Sequence, residues 1–173
     1  PPLYAHWEEL LEAPLASFLR VGSWVGGDRD GNPNVTGDTL RFALRMQASA
    51  ALSAYLDQIH ALGAELSLSS RFGAPSPELA ALADRANDAS PHRADEPYRR
   101  ALTGIYARTA ATLTALTGQQ PARTSSVKAK PYAAPADLVA DLRTVEASLF
   151  QTQGPAFCAG PLPELIRAVD VFG

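Results

Sequence analysis

The sequence predicts an all-α chain that carries one short strand, Phe18 to Trp24. Leucine, isoleucine and valine recur at steps of three and four residues over most of the chain, which is the periodicity of amphipathic helices. Small polar residues followed by a proline or an early carboxylate precede several of these stripes, as expected at helix starts. Between Phe18 and Trp24 the apolar residues form a short run that leads into a glycine-rich loop, which favours a strand.

Six helical segments follow from these patterns. We predict helices over residues 3–15, 37–67, 77–86, 95–118 and 135–154, with a last short helix around residues 165–169. Pro14 ends the first pattern, Thr36, Ser76 and Asp95 are the expected N-caps, and Gly118 is the expected end of the fourth helix. The main apolar stripes consist of Leu52, Leu56, Ile59, Leu62 and Leu66, then Tyr98, Leu102, Ile105, Thr109, Leu113 and Leu116, then Leu138, Leu142, Val145 and Leu149.

We treat residues 1–173 as a single helical unit with four regions. They are the strand and glycine-rich loop (18–36), a helical hairpin region (37–118), a linker-like loop with prolines at 121 and 131 (119–134), and the C-terminal helices (135–173). Both ends of the sequence resemble interior positions of a longer chain, so we expect the 173 residues to be a piece of a larger protein.

Composition limits the class of partner. A net charge of −3 and a pI of about 5.6 provide no basic surface for nucleic acid or an anionic membrane. No apolar run approaches the roughly 20 residues that span a bilayer. The single cysteine, Cys158, excludes an internal disulfide and is consistent with a reducing compartment. These features predict a soluble cytoplasmic protein, and the preference for arginine over lysine suggests a bacterial source.

The segment richest in chemistry is residues 21–36, Val-Gly-Ser-Trp-Val-Gly-Gly-Asp-Arg-Asp-Gly-Asn-Pro-Asn-Val-Thr, which we call the glycine segment. Its four glycines allow positive φ and a close approach of backbone N–H groups to another group. A helix is expected to begin directly after Thr36. Free N–H groups and the helix dipole therefore converge near this loop, an arrangement that suits anions.

The acidic residues of the glycine segment raise the possibility of a calcium site. An EF-hand loop needs glycine at position 6 and a bidentate glutamate at position 12, but counting from Asp28 places Pro33 and Thr39 there. An ion-pair network of Asp28, Arg29 and Asp30 that holds a tight loop is the better interpretation. The three histidines have no metal-ligand spacing, so no metal site is predicted in this chain.

Residues Gly22 to Thr36 are similar to a signature segment of phosphoenolpyruvate carboxylase over fifteen consecutive positions, which include a tryptophan. Weaker similarities to that family follow in order along the chain, at Leu66-Ser67, at Glu96-Pro97-Tyr98-Arg99, at Asp137 to Leu142, and from Leu165 to Gly173. The resemblance implies that the strand at Phe18 to Trp24 belongs to the α/β barrel of a full-length enzyme.

The resemblance also implies an activity for the full-length protein. Phosphoenolpyruvate carboxylases form oxaloacetate and phosphate from phosphoenolpyruvate and bicarbonate, which replenishes the citric acid cycle. They use Mg²⁺ or Mn²⁺ as a Lewis acid and are usually homotetramers. The catalytic histidine and the metal ligands of the family lie in motifs that are not present here. We therefore expect no catalytic residue in this chain and no activity from it alone.

Several site residues follow from the same resemblance. Trp24 matches a tryptophan that lines the pocket around the phosphoenolpyruvate methylene, and Arg29 is either an anion contact there or part of the loop scaffold. Arg99 matches an arginine at or near a sugar-phosphate effector site in plant members, although it could equally be a solvated charge. The expected loop scaffold comprises Gly26, Gly27, Asp28, Asp30, Gly31 and Asn32.

A different class of function remains open at this point. The chain could be a helical scaffold or interaction module in which the glycine segment has a purely structural role. The environment of Trp24 discriminates between the two, since a tryptophan that contributes to a site faces an open pocket whereas a structural one packs in a closed core.

Overall fold

The fold consists of α-helices, as predicted. A computed structural model describes residues 2–20, 22–27, 32–71, 73–154 and 160–173. The helices are α1 (Pro2–Leu11), α2 (Gly37–Glu65), α3 (Pro77–Arg85), α4 (Pro97–Thr117), α5 (Pro135–Gln153) and α6 (Pro161–Phe172), with a 3₁₀ turn at Pro91–Arg93. No strand occurs among the described residues.

The expected strand at Phe18 to Trp24 is the one departure from the predicted elements. Residues 18–20 and 22–23 have no regular structure, and Trp24 opens a turn. A strand is stable only when its N–H and C=O groups pair with a neighbour, and the described part of the chain offers no second strand to this segment. Residues 119–134, the predicted linker-like loop, contain no helix or strand.

Helix α4 lies at the centre of the molecule and packs against α2, α3 and α5, while α6 packs on α5 and α2. We call α2 to α6 the bundle. Its core consists of the predicted apolar stripes, with the exception of Leu116, which is 58% exposed. The residues at 2% exposure or less include Ile59, Leu79, Leu102, Ile105, Leu113, Leu142, Val145, Leu149, Leu165 and Ile166. Burial of this continuous apolar surface is the main force that holds the helices together.

A buried polar cluster joins three elements of the bundle. The Tyr98 hydroxyl on α4 lies 2.8 Å from the Ser148 Oγ and 2.9 Å from the Thr152 Oγ1, both on α5. Ser148 Oγ also accepts a hydrogen bond of 3.1 Å from the backbone N–H of Ser76, which is the N-cap of α3. Polar groups that pair in this way avoid the cost of an unsatisfied donor in the core, and they fix how the three helices meet.

Most of the predicted helix ends are confirmed. Thr36 and Thr39 form a reciprocal capping box at the start of α2, Ser76 caps α3, and Gly118 ends α4 with a φ of 76°. The prediction for Asp95 is wrong, since α4 begins at Pro97 after Glu96. The Asp95 carboxylate instead accepts a 2.9 Å hydrogen bond from Ser69 Oγ, a contact with the loop after α2 that local sequence rules do not include.

Helix α1 attaches to the bundle through polar contacts with α6. Arg167 donates a 2.6 Å hydrogen bond to Glu8 Oε1 and a second of 3.2 Å to the Leu15 carbonyl, and its guanidinium lies 4.2 Å from the centre of the Tyr4 ring. The Arg20 side chain reaches the backbone carbonyl groups of Asp170 and Val171 at the end of α6. These contacts determine where the chain enters the glycine segment.

Candidate functional site

The glycine segment is described at residues 22–27 and 32–36. Gly27 N–H donates to the Trp24 carbonyl at 3.0 Å, which closes a tight turn with Trp24 at its start. The Trp24 side chain is 78% exposed, and Val25 beside it is also exposed. Trp24 therefore does not pack in the core of this chain, and its indole ring lies on an open surface.

Gly26 brings this turn against the start of α2. Its φ of 75° belongs to the left-handed region that favours glycine. A Cβ at this position would lie 3.1 Å from the Cβ of Ala43, a buried residue of α2. A larger residue would thus be disfavoured by both the backbone conformation and the contact.

The second described part of the glycine segment leads directly into α2. Asn32 Oδ1 accepts a 3.0 Å hydrogen bond from the Asn34 N–H, and the Asn34 carbonyl accepts one of 3.1 Å from Thr39 Oγ1. These bonds connect the loop to the capping box of the helix. The predicted site residues Asp28, Arg29, Asp30 and Gly31 lie outside the described residues, so the proposed ion-pair network and the excluded calcium loop stay predictions.

Arg99 lies in a different place, at a cleft of about 230 Å³ between α2, α4 and the loop after α4. We call it the arginine cleft, because Arg93 and Arg123 line it together with Arg99. Its other polar lining residues are His60, Thr103, Thr124, Ser125 and Ser126. Arg99 donates to Glu96 Oε2 at 3.2 Å and to Ser67 Oγ at 3.4 Å.

Each arginine of the arginine cleft already has an acidic partner. Arg93 donates two hydrogen bonds to Asp88, of 2.5 and 2.9 Å, and Arg123 donates to Asp57 at 2.6 Å. The Arg93 hydrogen bond holds the pKa of the Asp88 carboxyl below its ordinary value, against the opposing effect of burial. The cleft can present oriented N–H groups to an anion, but most of its positive charge is neutralised locally.

The residues that line the arginine cleft come from separate parts of the sequence, so no sequence spacing predicts the cleft. Arg93 is the last residue of the 3₁₀ turn, Arg99 and Thr103 belong to α4, and Arg123 and Ser125 come from the loop after α4. Only the packing of that loop across α2 and α4 brings them together. The Tyr106 hydroxyl secures it with a 2.8 Å hydrogen bond to the Arg123 carbonyl.

The part of the chain that the structure describes contains neither a cluster of metal ligands nor a helix that could cross a membrane. Within it, histidine, cysteine, aspartate and glutamate nowhere form a group of three or more that could hold a metal ion. None of the described helices combines the length and apolar character that a membrane span requires.

The comparisons with known proteins agree on one family. A family model described as phosphoenolpyruvate carboxylase matches residues 5–173. A phosphoenolpyruvate carboxylase of Azoarcus sp. (strain BH72) is 52% identical over 181 aligned positions, which cover 100% of this chain and 20% of the relative. Those of Ralstonia nicotianae and Rhodopseudomonas palustris are 54% and 52% identical, over 93% and 92% of this chain and 16% and 17% of the relatives. The chain thus spans about a fifth of the length of these curated relatives.

Proposed function

The chain belongs to the phosphoenolpyruvate carboxylase family, and we propose that it forms part of an enzyme that makes oxaloacetate and phosphate from phosphoenolpyruvate and bicarbonate. The match over residues 5–173 is the observation that carries this proposal, and the glycine segment is the part of the chain that we assign to the site. The reaction expected from the family transfers the phosphoryl group to bicarbonate. This transfer gives carboxyphosphate and the enolate of pyruvate. Carboxyphosphate then breaks down to carbon dioxide and phosphate, and the enolate carbon attacks the carbon dioxide to form oxaloacetate.

Trp24 is the residue of this chain that we place beside the reacting atoms. An enolate in contact with water would be protonated to pyruvate before it could attack carbon dioxide, so an apolar wall that excludes water favours carboxylation. Trp24 lies at the start of the turn that Gly27 closes, and its side chain is exposed and available to another part of the enzyme, which supports this role.

The other residues of the site position the turn that carries Trp24. Gly26, through its left-handed backbone and its contact with Ala43, sets the distance between the turn and α2. Arg29 is proposed either as an anion contact or as part of the loop scaffold, as its position in the family motif implies. Because the described residues do not provide a metal-ligand group, we assign no step through Mg²⁺ or Mn²⁺ to them, although the family implies such an ion in the whole enzyme.

The test uses the full-length enzyme with Trp24→Ala, compared with Trp24→Phe, which keeps an aromatic wall. Oxaloacetate and pyruvate are measured separately. We expect the alanine variant to form more pyruvate relative to oxaloacetate at an unchanged melting temperature, and the phenylalanine variant to stay close to wild type. An unchanged product ratio in a folded, active Trp24→Ala enzyme would contradict the proposed role.

Three further proposals rest on the family resemblance. The 173 residues alone form no oxaloacetate, which an assay of the purified chain checks directly.

The whole enzyme is cytoplasmic and is a homotetramer. Sedimentation of the full-length protein tests the oligomeric state. Arg99 contributes to an effector site for a phosphorylated sugar. The oriented N–H groups of the three arginines at its cleft support this proposal, while their acidic partners Asp88, Glu96 and Asp57 offset most of the charge. Activation that persists in an Arg99→Gln enzyme would contradict it.

A further inference from the structure

A second cleft, of about 500 Å³, lies between α3, α4, α5 and the loop at residues 128–130. We call it the basic cleft, because four cationic side chains line it together with one carboxylate: Arg85, Arg108, Lys128, Lys130 and Asp141. It shares no lining residue with the arginine cleft. Nothing in the proposed carboxylation uses it.

Asp141 organises one wall of the basic cleft. Its side chain is only 10% exposed, and Oδ2 accepts hydrogen bonds of 2.9 Å from both Arg108 and the Tyr132 hydroxyl. Arg85 reaches the other oxygen, Oδ1, at 3.4 Å. Burial and the nearby carboxylate raise the pKa of Tyr132, so that its hydroxyl remains a donor to Asp141.

The two guanidinium groups are therefore held in place by a single carboxylate. Arg108 is also fixed by the Tyr132 ring, whose centre lies 3.8 Å from its Cζ. Because Asp141 offsets only one of the two positive charges, the arginine pair keeps a net charge of about one unit. Arg85 is two-thirds exposed, with much of its side chain open to solvent.

The lysines add to this excess. Lys128 and Lys130 are the only lysines of the sequence, and both are exposed at the cleft. Neither forms an ion pair or a side-chain hydrogen bond with the described residues. The cleft thus concentrates three uncompensated positive charges in a chain whose net charge is −3.

We propose that the basic cleft binds the phosphate group of a small molecule, or free phosphate. The planar guanidinium groups of Arg85 and Arg108 offer directed N–H donors to an oxyanion, and the two ammonium groups add charge without a fixed direction. A doubly charged anion matches the excess of positive charge better than a monocarboxylate does. The cleft is larger than one phosphate ion, so it can also hold the body of a phosphate monoester.

The experiment follows the backbone amide signals of the ¹⁵N-labelled 173-residue chain by NMR during titration with inorganic phosphate, with phenyl phosphate and with acetate. We expect saturable shifts at residues 85–87 and 128–130 with the two phosphates, much weaker effects with acetate, and loss of affinity as sodium chloride is added. Tighter binding of phenyl phosphate than of inorganic phosphate identifies a monoester as the ligand, and equal binding identifies free phosphate.

Lys128→Gln/Lys130→Gln is the decisive variant, because both lysines are exposed and their replacement should leave the fold intact. We expect its phosphate affinity to fall on the order of tenfold or more. The matched control, Arg41→Gln/Arg45→Gln, removes two exposed charges from α2 and should bind as wild type does. Shifts that do not saturate, that occur away from the cleft, or that persist equally in the lysine variant would overturn the proposal. The NMR titrations do not measure carboxylation. A negative result would therefore overturn the phosphate site without affecting the proposed function.

Discussion

The bundle and the region before it, residues 2–36, are built on different principles. In the bundle most of the large apolar side chains face one another, and many of them are closed to solvent. The exposed exceptions are Phe42, Leu44, Met46, Leu116, Phe150 and Phe172. In the preceding region most large apolar side chains are exposed: Leu3, Trp7, Leu10, Leu11, Phe18, Leu19, Trp24 and Val25. This region is attached to the bundle chiefly by hydrogen bonds and ion pairs, such as that between Arg167 and Glu8.

The difference shows which part of the chain specifies its own structure. The bundle gains its stability from apolar burial within the chain. The region before it presents a contiguous stretch of sequence with apolar side chains toward solvent, a feature typical of surfaces that contact another part of a protein. The chain spans about a fifth of its relatives' length, which leaves ample protein to contact this surface in a full-length enzyme.

The largest contrast is expected between Leu142→Ala in α5 and Leu10→Ala in α1. Leu142 is fully buried whereas Leu10 is 61% exposed. Loss of the buried side chain should lower the free energy of unfolding by about 3 kcal/mol, through lost burial and the cavity left behind. Replacement of the exposed Leu10 should lower the free energy of unfolding by less than about 0.5 kcal/mol. Urea unfolding of both variants measures the two values, and similar losses would show that the two regions do not differ as described.

The next largest effect is expected at the buried polar cluster. Ser148→Ala removes the partner of the Ser76 N–H and one partner of the Tyr98 hydroxyl. An unsatisfied buried donor costs about 2 kcal/mol. Thr144→Ala is the matched control on the same helix, since its hydroxyl bonds only to the Ala140 carbonyl of the preceding turn. Equal melting temperatures for the two variants would mean that the cluster contributes nothing beyond packing.

A smaller, pH-dependent effect is expected at Asp88. Its pKa is lowered from the ordinary value of 3.8 because Arg93 donates hydrogen bonds to the carboxylate. A lowered pKa in the folded state stabilises the protein above pH 3.8, and this contribution disappears as the pH falls through the lower, folded-state pKa. We expect Asp88→Asn to cost about 1.5 kcal/mol at neutral pH. The gap to wild type should close in acid; a gap that widens in acid would refute the assignment.

The smallest effect on global stability, but a clear local one, is expected for Arg167→Met. This change keeps the apolar length of the side chain and removes the hydrogen bonds to Glu8 and Leu15. A partly exposed ion pair contributes little to global stability because solvent screens it, so urea unfolding should change little. Hydrogen exchange should become faster in α1 and at Leu15 while α4 stays protected. Arg71→Met, in the loop after α2 and with a side chain 82% exposed, should alter neither region.

Acid should weaken the same attachment in the wild-type protein. The hydrogen bond from Arg167 is the main cause of a lowered pKa at Glu8. The Glu8 contact is therefore complete above the ordinary glutamate value of 4.5 and is lost as the pH falls through the lower pKa of the attached state. If exchange in α1 does not depend on pH in this range, after correction for the intrinsic rate, the ion pair does not hold the helix.

Much of the helical framework could be predicted from the sequence because the sequence signals for helices are local. The leucine stripes, the caps at Thr36 and Ser76, and the terminating Gly118 each act within a few residues of the backbone that they organise. The family was accessible for a similar reason, since the Gly22 to Thr36 motif is continuous. The strand prediction failed because a strand requires a pairing partner elsewhere.

The sequence by itself determined where the helices lie, which faces are apolar and which family the chain belongs to, because each of these depends on neighbouring residues. Tertiary structure alone decided which charges meet. Asp95 bonds to Ser69 instead of capping α4, and Asp141 gathers Arg85 and Arg108 beside the two lysines. Contacts between side chains far apart in sequence depend on the path of the chain through space, and no local pattern encodes that path.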